Sequence, residues 1–317
     1  MLYRKFGQTG ETVSAIGLGG AHIGKPSLSQ QEAVRLIHRA IDRGITFMDN
    51  SWDYNDGRSE EVMGAALSQN GYRNKVFLMT KIDGRNKDIA TQQLNTSLSR
   101  LKTDHLDLLQ FHEIIRYEDP DRIFREGGAL EAVQEAKKAG KVRFVGFTGH
   151  KDPHIHLYML AVAEAAGFRF DAVLHPSNLM DGHFRSFAQL VMPKLVEKGI
   201  ARQTMKPFGG SMLLKSGVIR NPIDCLHYAL NLPVDVVITG IDKPEILDQA
   251  FQAAKTFKRL DDEEFASLVS QTSEVARNGR YELYKVSSHF DSTAQHPEYL
   301  GGDDAEVKQL VAQPVKL

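Results

Sequence analysis

Short apolar segments recur along the chain, and the polar stretches between them have similar lengths. The step from one segment to the next is roughly 30 residues, which is the length of one strand–helix–strand unit. The eight segments cover 14–20, 45–49, 75–81, 105–112, 142–150, 170–178, 199–205 and 234–240. Because they are rich in Val, Ile and Phe and are apolar on both faces, we expect the buried strands of a parallel sheet.

The stretches between the apolar segments are patterned as helices. Ser29 and Glu32 have the spacing of a capping box, Ile37 and Ile41 follow on one helical face, and Gly44 marks the end. An unbroken alternation of strand and helix over eight units is typical of an α/β fold that closes on itself, the (β/α)8 or TIM barrel. We therefore predict a closed barrel and not an open doubly wound sheet.

Two further segments flank the predicted barrel. Residues 3–15 have the pattern of a β-hairpin ahead of the first strand, with its turn at Gln-Thr-Gly. A helix is predicted around 261–279, and a C-terminal extension covers about 277–317. Up to Gly301 the extension is too aromatic for a free linker, and beyond that residue it becomes polar, so we expect fraying there. The chain, 1–317, is interpreted as a single barrel domain.

The composition excludes several kinds of binding partner and metal site. The chain has 39 Lys and Arg against 40 Asp and Glu, a net charge of −1, so no basic field attracts nucleic acid or anionic lipid. Its one cysteine, Cys225, cannot form an internal disulfide or supply an iron–sulfur or multi-thiolate zinc site. The apolar runs are too short to span a bilayer, and the start lacks the core of a secretory signal. We expect a cytoplasmic protein that acts on a small molecule; both a monomer and a homo-oligomer are compatible with the sequence.

Charged and polar side chains stand at the carboxyl ends of the predicted strands, where barrels of this kind carry their chemistry. The ends and loops of the second, third and fourth strands supply Asp49, Tyr54, Lys81 and His112. We expect Lys81 to lower the pKa of Tyr54, with Asp49 holding the lysine charged and His112 orienting a carbonyl or relaying the proton. Such a group donates a proton to a carbonyl oxygen without a metal. The hydride must then come from a bound cofactor, since Cys225 has no dithiol partner.

The pattern D-x4-Y-x2-G-x-SE that begins at Asp49, followed by VFLMTK and DLLQFH, resembles the aldo-keto reductase family. The similarity covers roughly residues 3–275. It implies that Asp49, Tyr54, Lys81 and His112 form a catalytic tetrad in which Tyr54 is the acid and base. It also implies a nicotinamide cofactor, usually NADPH with NADH as the alternative, and the interconversion of an aldehyde, ketone or sugar with an alcohol.

The resemblance further implies cofactor contacts at strand ends and in the loops that follow. The corresponding positions are Gly20, Asp49, Thr148, His175, Lys206, Pro207, Phe208, Gly209, Gly210, Ser211, Gly240, Lys243 and Gln249. Family members often have Ser where Thr148 stands and an aromatic residue where Lys206 stands. Lys243 is the only cation in IDKPEIL, and Asp242 beside it would repel a 2′-phosphate if it faced the same way. We therefore expect only a modest preference for NADPH, about tenfold.

One other chemistry and one non-catalytic role are also compatible with these residues. Lys206 or Lys81 could form a Schiff base, as in a class I aldolase-like lyase. Some relatives of the family serve as cofactor-sensing subunits without turnover. His154 and His156 form an H-x-H pair, but a spacing of two at a helix start does not put both rings on one face. We therefore predict no metal site.

Overall fold

The chain forms a closed barrel of eight parallel strands behind a two-stranded antiparallel hairpin. The structure is a computed structural model and describes residues 1–219 and 221–301. The hairpin consists of β1 (Tyr3–Lys5) and β2 (Thr12–Ser14). The barrel strands are β3 (Ile16–Gly19), β4 (Phe47–Asp49), β5 (Phe77–Ile82), β6 (Leu106–Phe111), β7 (Val142–Thr148), β8 (Ala172–Pro176), β9 (Ala201–Met205) and β10 (Val236–Gly240). Consecutive strands pair in parallel and β10 pairs with β3, so the predicted fold class is confirmed.

Helices connect the strands and surround the barrel. Those up to β8 are α1 (Gly20–Ile23), α2 (Gln30–Asp42), α3 (Arg58–Leu67), α4 (Lys87–Arg100), α5 (Glu118–Phe124), α6 (Ala129–Lys138) and α7 (Pro153–Ala165). The later ones are α8 (Phe187–Leu190), α9 (Met192–Glu197), α10 (Met212–Lys215), α11 (Pro222–Asn231), α12 (Pro244–Thr256), α13 (Asp262–Ser270), α14 (Ser273–Ala276), α15 (Leu283–Val286) and α16 (Ser292–Gln295). Turns of 3-10 helix occur at Tyr72–Lys75, Asp181–His183 and Pro297–Leu300. Within the described ranges, no helix combines the length and the apolar character that crossing a bilayer requires.

Local signals in the sequence explain where the helices begin and end. The hydroxyl of Ser29 accepts the backbone N–H of Glu32, and the Glu32 carboxylate accepts that of Ser29, so the predicted capping box starts α2. Gly44, at φ +103°, ends the same helix in a conformation that other residues rarely adopt. The side chain of Asp152 accepts the backbone N–H of His154 and so caps the start of α7, with Pro153 in the first turn of that helix.

Side chains alternate between the barrel interior and the surrounding helices. An interior cluster contains Phe47, Phe77 and Leu108, each fully or nearly fully buried. Phe6, from the hairpin connection, lies 5.6 Å from the Phe47 ring and 5.1 Å from the Phe77 ring, so it closes the amino end of the barrel. Because inward positions recur every second residue, Asp49 and the polar residues that follow on neighbouring strands face the open carboxyl end.

The part of the C-terminal extension from 277 to 301 lies against the carboxyl end of the barrel. Its Lys285 ammonium donates to the Asp181 carboxylate at 2.8 Å, and its Asp291 carboxylate pairs with the His150 ring at 2.9 Å. Tyr284 is fully buried. The prediction that this segment packs and is not a free linker is thus confirmed. The predicted fraying beyond Gly301 concerns residues 302–317, which lie outside the described residues.

Candidate active site

Three of the predicted tetrad residues are joined by hydrogen bonds at the carboxyl end of the barrel. The Nζ atom of Lys81, on β5, donates to Oδ1 of Asp49 at 2.5 Å and to the hydroxyl of Tyr54 at 3.2 Å. It also donates to the backbone oxygen of Asn50 at 2.6 Å. Lys81 is only 1% exposed, so its charge is balanced inside the protein by the Asp49 carboxylate.

The fourth residue, His112, follows β6 and lies against the tyrosine. The rings of His112 and Tyr54 meet edge to face, with centroids 5.7 Å apart. Nδ1 of His112 is 2.9 Å from Oδ1 of Asp83 and 3.5 Å from Oδ1 of Asp53. The structure therefore brings all four predicted catalytic side chains together. Nε2 of His112 has no hydrogen-bond partner among the described residues.

Asp83 is a site residue that the sequence interpretation missed. It follows β5 two positions after Lys81, and strand alternation puts both side chains on the inner face. Its side chain is fully buried, and its second oxygen accepts the indole N–H of Trp52. The spacing Lys-x-Asp at a strand end was the available signal. Its meaning depended on His112, which is distant in sequence.

The environment of Tyr54 does not lower its pKa, contrary to the sequence-based expectation. Burial of the hydroxyl raises the pKa of Tyr54 well above its usual value, and the carboxylates of Asp49, Asp53 and Glu113 raise it further. Lys81 is close enough to stabilise a phenolate, but these groups outweigh it. The resting side chain is therefore a neutral phenol that holds its proton.

Two carboxylates change the electrostatics of His112. Burial disfavours the charged ring, but Asp53 and Asp83 outweigh it and raise the pKa of His112 above its usual value. For Asp83, burial opposes ionisation, yet the charges of His112 and Arg85 and the Trp52 hydrogen bond bring its pKa below the usual value. Burial and the neighbouring Asp83 raise the pKa of Asp53. His112 and Asp83 thus favour the charged pair.

Lys206 follows β9 at the rim of the site. Its backbone has a φ of +57°, and its Nζ atom lies 5.5 Å from the ring centre of Tyr284 and 5.6 Å from that of Phe290. Burial lowers the pKa of Lys206 to about 8. Glu113, which follows His112, accepts hydrogen bonds from the backbone and hydroxyl of Thr293 at 2.8 Å. The C-terminal extension thus forms one wall of the site.

The strand ends expected to hold a nicotinamide differ from one another. Thr148 ends β7 and is buried, and its Oγ1 atom has no hydrogen-bond partner in the described part of the chain. The predicted contact of His175 is wrong. Leu174 belongs to the interior cluster, so alternation turns His175 outward, where its ring stacks on Phe187 of α8 at 5.9 Å. Thr148 stays a candidate, and His175 is a helix-facing core residue.

The loop after β9 has the backbone shape of an anion cradle. Pro207 and Phe208 lead into three consecutive residues with positive φ, Gly209 at +58°, Gly210 at +66° and Ser211 at +72°. The backbone N–H of Gly209 bonds the backbone oxygen of Lys206 at 2.8 Å, whereas those of Gly210 and Ser211 have no partner among the described residues and can bind an anion in this turn. A Cβ atom on Gly210 would lie 2.8 Å from the Phe290 ring, so a side chain larger than glycine does not fit there.

The predicted positions around β3 and β10 pack closely. Gly20 begins α1, and a Cβ atom there would lie 2.5 Å from the backbone oxygen of Asp49. A Cβ atom on Gly240 would lie 2.3 Å from Nδ1 of His22, so His22 covers Gly240. Gln249 is half-buried within α12.

Charges near the start of α12 are arranged more favourably for an anion than the sequence indicated. Lys243 is exposed and immediately precedes α12. Asp242 pairs with Nζ of Lys25 at 3.2 Å, so its carboxylate is drawn towards another cation. Lys25, which the sequence interpretation missed, adds a second positive charge to this region.

Two groups of potential metal ligands lie in the described part of the chain. His154 is exposed and its Nδ1 donates to the Asp152 carboxylate, whereas His156 is buried against Phe147, so the H-x-H pair is split between two faces. Among the described residues, Asp53, Asp83 and His112 bring ligand-type atoms within 4.8 Å of one another. The hydrogen bond from His112 to Asp83 accounts for that spacing without an ion.

A pocket of about 200 Å³ opens beside the tetrad, between the loop after β4 and the C-terminal extension. Its lining combines carboxylates, imidazoles, an amide and aromatic rings: Asp53, Asp56, His289, Phe290, Ser292, Gln295, His296 and Tyr299. One lining residue, Asp53, lies 3.5 Å from Nδ1 of His112, so the pocket borders the tetrad.

Comparison with known proteins identifies related sequences. Residues 15–224 match the model of the aldo/keto reductase family. Aldo-keto reductase YhdN of Bacillus subtilis is 30% identical over 210 residues, which are 61% of this chain and 58% of that protein. The uncharacterized oxidoreductase YrpG of the same organism is 30% identical over 235 residues, 67% and 68% of the two chains. The match thus spans less than two thirds of the length of YhdN.

Solved structures share the fold. Aldo-keto reductase AKR11C1 from Bacillus halodurans, in its holo form, superposes with a TM-score of 0.72 at 20% identity, covering 89% of this chain and 99% of that one. The thermostable aldo-keto reductase Tm1743, in complex with the inhibitor epalrestat, gives 0.68 at 22% identity, covering 86% and 100%. At these identities the likeness extends to the barrel fold.

Proposed function

The chain belongs to the aldo/keto reductase family, and on that premise we propose that it interconverts a carbonyl compound and an alcohol with NAD(P)(H), using Tyr54 as acid and base. The observation that carries this proposal is the hydrogen-bonded chain from Asp49 through Lys81 to the Tyr54 hydroxyl. It supports a proton donor at the mouth of the barrel and requires no nucleophile.

Each residue has a distinct part in the proposed proton transfer. Tyr54 holds a proton at rest and releases it to the oxygen of the substrate when negative charge develops there. Lys81 stabilises the phenolate as it forms, and Asp49 keeps the ammonium charged and in place. A nicotinamide, when bound, supplies the hydride for the carbonyl carbon or accepts it from the alcohol.

The described residues fit a nicotinamide dinucleotide in three places. The buried Oγ1 of Thr148 lacks a partner and can bond a carboxamide. The backbone N–H groups of Gly210 and Ser211, which have no partner among the described residues, suit a pyrophosphate. Lys243 and Lys25 supply two cations near the start of α12 that a 2′-phosphate could pair with, which supports NADPH as the preferred cofactor and NADH as the weaker one.

A screen of cofactor oxidation tests the proposal. The purified protein is mixed with NADPH or NADH and with aldehydes, ketones and sugars, and absorbance of the reduced nicotinamide is followed. We expect carbonyl-dependent oxidation with at least one class and faster reaction with NADPH. Binding of the cofactor without any turnover would contradict the proposal and favour a cofactor-sensing subunit.

Lys206 favours a second candidate chemistry. Its pKa of about 8 leaves part of the side chain as a free amine near neutral pH, which is the form that attacks a carbonyl. Borohydride treatment with a carbonyl compound, but without nicotinamide, would trap a Schiff base as a stable adduct. An adduct mapped to Lys206 or Lys81 by mass spectrometry supports a lyase, and its absence leaves the reductase.

A further inference from the structure

The side chain of His112 is held by acceptors on one nitrogen. Nδ1 faces Oδ1 of Asp83 at 2.9 Å, Oδ1 of Asp53 at 3.5 Å and the hydroxyl oxygen of Ser51 at 3.3 Å. The Ser51 hydroxyl donates its own hydrogen to the Asp53 carboxylate, so towards His112 its oxygen acts as an acceptor. Among the described residues, the polar atoms around Nδ1 thus offer lone pairs and no proton.

Asp83 is itself locked in this role. Its side chain is fully buried, its Oδ2 accepts the indole N–H of Trp52, and its backbone N–H donates to Gln93 at 2.8 Å. An ionised carboxylate only accepts hydrogen bonds. Nδ1 of His112 must therefore carry a hydrogen to make the 2.9 Å contact.

A consequence follows for the other ring nitrogen. Neutral imidazole carries one N–H, so a neutral His112 with its hydrogen on Nδ1 has a bare Nε2 that accepts. Nε2 can donate only when the ring is an imidazolium. Nε2 has no partner among the described residues and belongs to a ring that packs edge to face on Tyr54.

We propose that Asp83 is a positioning residue that fixes the hydrogen of His112 on Nδ1 and so makes His112 a titrating partner of the substrate oxygen. This inference rests on the proposed function and deepens it. The imidazolium donates from Nε2 to a carbonyl oxygen during reduction. The neutral ring accepts at Nε2 from an alcohol hydroxyl during oxidation. No bond is made or broken at His112 in either direction, since the transferred proton belongs to Tyr54.

The charged groups around the ring support an imidazolium at neutral pH. Asp83 follows β5, Asp53 lies in the loop after β4, and Glu113 follows His112 directly, and all three stabilise positive charge on the ring. Arg85 faces the same region, but its guanidinium donates to the backbone oxygen of His112 at 2.8 Å and is paired with Asp119. Tyr54 is a neutral phenol. The carboxylates around the ring thus favour an imidazolium, and its Nε2–H is the group that can donate to a substrate oxygen.

Nitrogen NMR of histidine side chains tests the inference without turnover. In protein labelled with ¹⁵N-histidine, the signals that disappear in His112→Gln belong to His112. Spectra that correlate the carbon-bound protons of the ring with its two nitrogens show which nitrogen carries the hydrogen. We expect the Nδ1–H form at pH values above the titration of His112. A wild-type ring with its hydrogen on Nε2 would overturn the inference.

Replacement of Asp83 by Asn should move the ring hydrogen of neutral His112 from Nδ1 to Nε2. The Trp52 indole only donates, so the amide oxygen of Asn must face Trp52 and its NH₂ must face Nδ1 of His112. His112 then becomes a neutral ring with its hydrogen on Nε2. The kcat/KM for carbonyl reduction in the wild type should fall about tenfold per pH unit above the pKa of His112. In Asp83→Asn it should be flat over the same range.

Asp104→Asn is the matched control. Asp104 forms a contact of the same kind with Nδ1 of His105 at 2.7 Å, but its side chain is 95% exposed and far from the tetrad. It should leave the pH profile of the wild type unchanged. If Asp83→Asn keeps the wild-type pH profile and the Nδ1–H form, the inference is wrong. If that variant does not fold, His112→Gln must lose the same pH limb.

The two measurements separate this inference from the proposed function. An Nδ1–H ring at His112 in a protein that reduces no carbonyl compound supports the inference and contradicts the function. Carbonyl turnover with an Nε2–H ring supports the function and overturns the inference.

Discussion

The hydroxyl of Tyr54 is subject to opposing influences within a few ångströms. Lys81 donates to it at 3.2 Å and stabilises the phenolate, whereas burial and the carboxylates of Asp49 and Asp53 stabilise the phenol. The net effect raises the pKa of Tyr54, so the side chain holds its proton at rest. In the proposed reaction, release of that proton depends on charge that develops on the substrate oxygen, which is the condition for transition-state stabilisation.

Replacement of Tyr54 by Phe removes this proton and keeps the packing of the ring. Because positioned proton transfer is worth about 10²–10⁴-fold, turnover should fall by at least that factor while the affinity for NADPH stays the same. Turnover and fluorescence titration of NADPH measure the two quantities. Tyr158→Phe is the control, since this tyrosine bonds Asp121 at the surface and should keep full activity. Near-normal turnover of Tyr54→Phe would exclude the assigned role.

Lys243 carries the prediction on cofactor choice. One charge-assisted hydrogen bond at an exposed site is worth about 1.5 kcal/mol, or roughly tenfold. Lys243→Ala should abolish the NADPH preference and leave NADH kinetics unchanged. Lys25→Ala should weaken NADPH as well, because Asp242 loses its partner at 3.2 Å and its charge is no longer balanced. Equal weakening of both cofactors by Lys243→Ala would show that the residue does not contact a phosphate.

Among the secondary-structure elements, α15 and the turns around it decide how the C-terminal extension meets the barrel. Lys285 is fully buried between Asp181 at 2.8 Å and Glu282 at 3.0 Å. Asp181 also accepts the backbone N–H groups of Phe187 and Ala188, so it ties α8 to the extension. Burial raises the pKa of Glu282, and the Lys285 charge opposes that rise. The ammonium thus holds two acidic groups of different segments together.

Lys285→Met keeps most of the side-chain length and leaves both acidic groups without their cation. Removal of one partner from a buried ion pair costs about 3–5 kcal/mol, so we expect a loss of that size in the free energy of unfolding. Urea denaturation measures the loss, and hydrogen exchange should show it first in residues 277–301. Lys194→Met breaks an exposed pair with Glu197 and should cost less than about 1 kcal/mol. Equal effects of the two variants would contradict the tethering role.

For the whole molecule, buried histidines set the response to acid. Burial lowers the pKa of both His156 and His150 to about 3, against an unfolded value near 6.5. The unfolded chain therefore binds more protons below about pH 6.5, and stability falls as the pH drops from there towards 3. The raised pKa of His112 acts in the opposite direction.

His156→Phe isolates one of these contributions. Phe suits the aromatic surroundings of Phe147 and Phe187, whose rings lie 5.1 Å and 5.0 Å from that of His156. At pH 5, about 1.5 units below the unfolded pKa, each such histidine costs about 2 kcal/mol. The drop in unfolding free energy between pH 7 and pH 5 should shrink by that amount in His156→Phe. His154→Phe, an exposed neighbour on α7, should keep the wild-type drop. An unchanged drop in His156→Phe would contradict a neutral buried ring.

The sequence by itself determined the barrel strands and their order, whereas the single helix predicted around 261–279 divides into α13 and α14. Each of the eight apolar segments overlaps a barrel strand, and the capping box of Ser29 begins α2 as predicted. These features depend on short stretches of chain, because burial on both faces and helix capping leave a local pattern. The carboxyl ends of the strands likewise located Asp49, Tyr54 and Lys81, since a parallel barrel gathers those ends at one rim.

Only the tertiary structure decided what those side chains do to one another. Along β8, Leu174 faces the barrel interior and His175 therefore faces the helices, away from the site. An apolar segment shows that a strand is present, but which of its residues face inward depends on how the strand pairs with its neighbours. The raised pKa of Tyr54 depends on carboxylates from several strands, and the hydrogen bond from His112 to Asp83 joins residues 29 positions apart. Electrostatic effects and proton positions depend on distance and burial, and those quantities exist only once the barrel has closed.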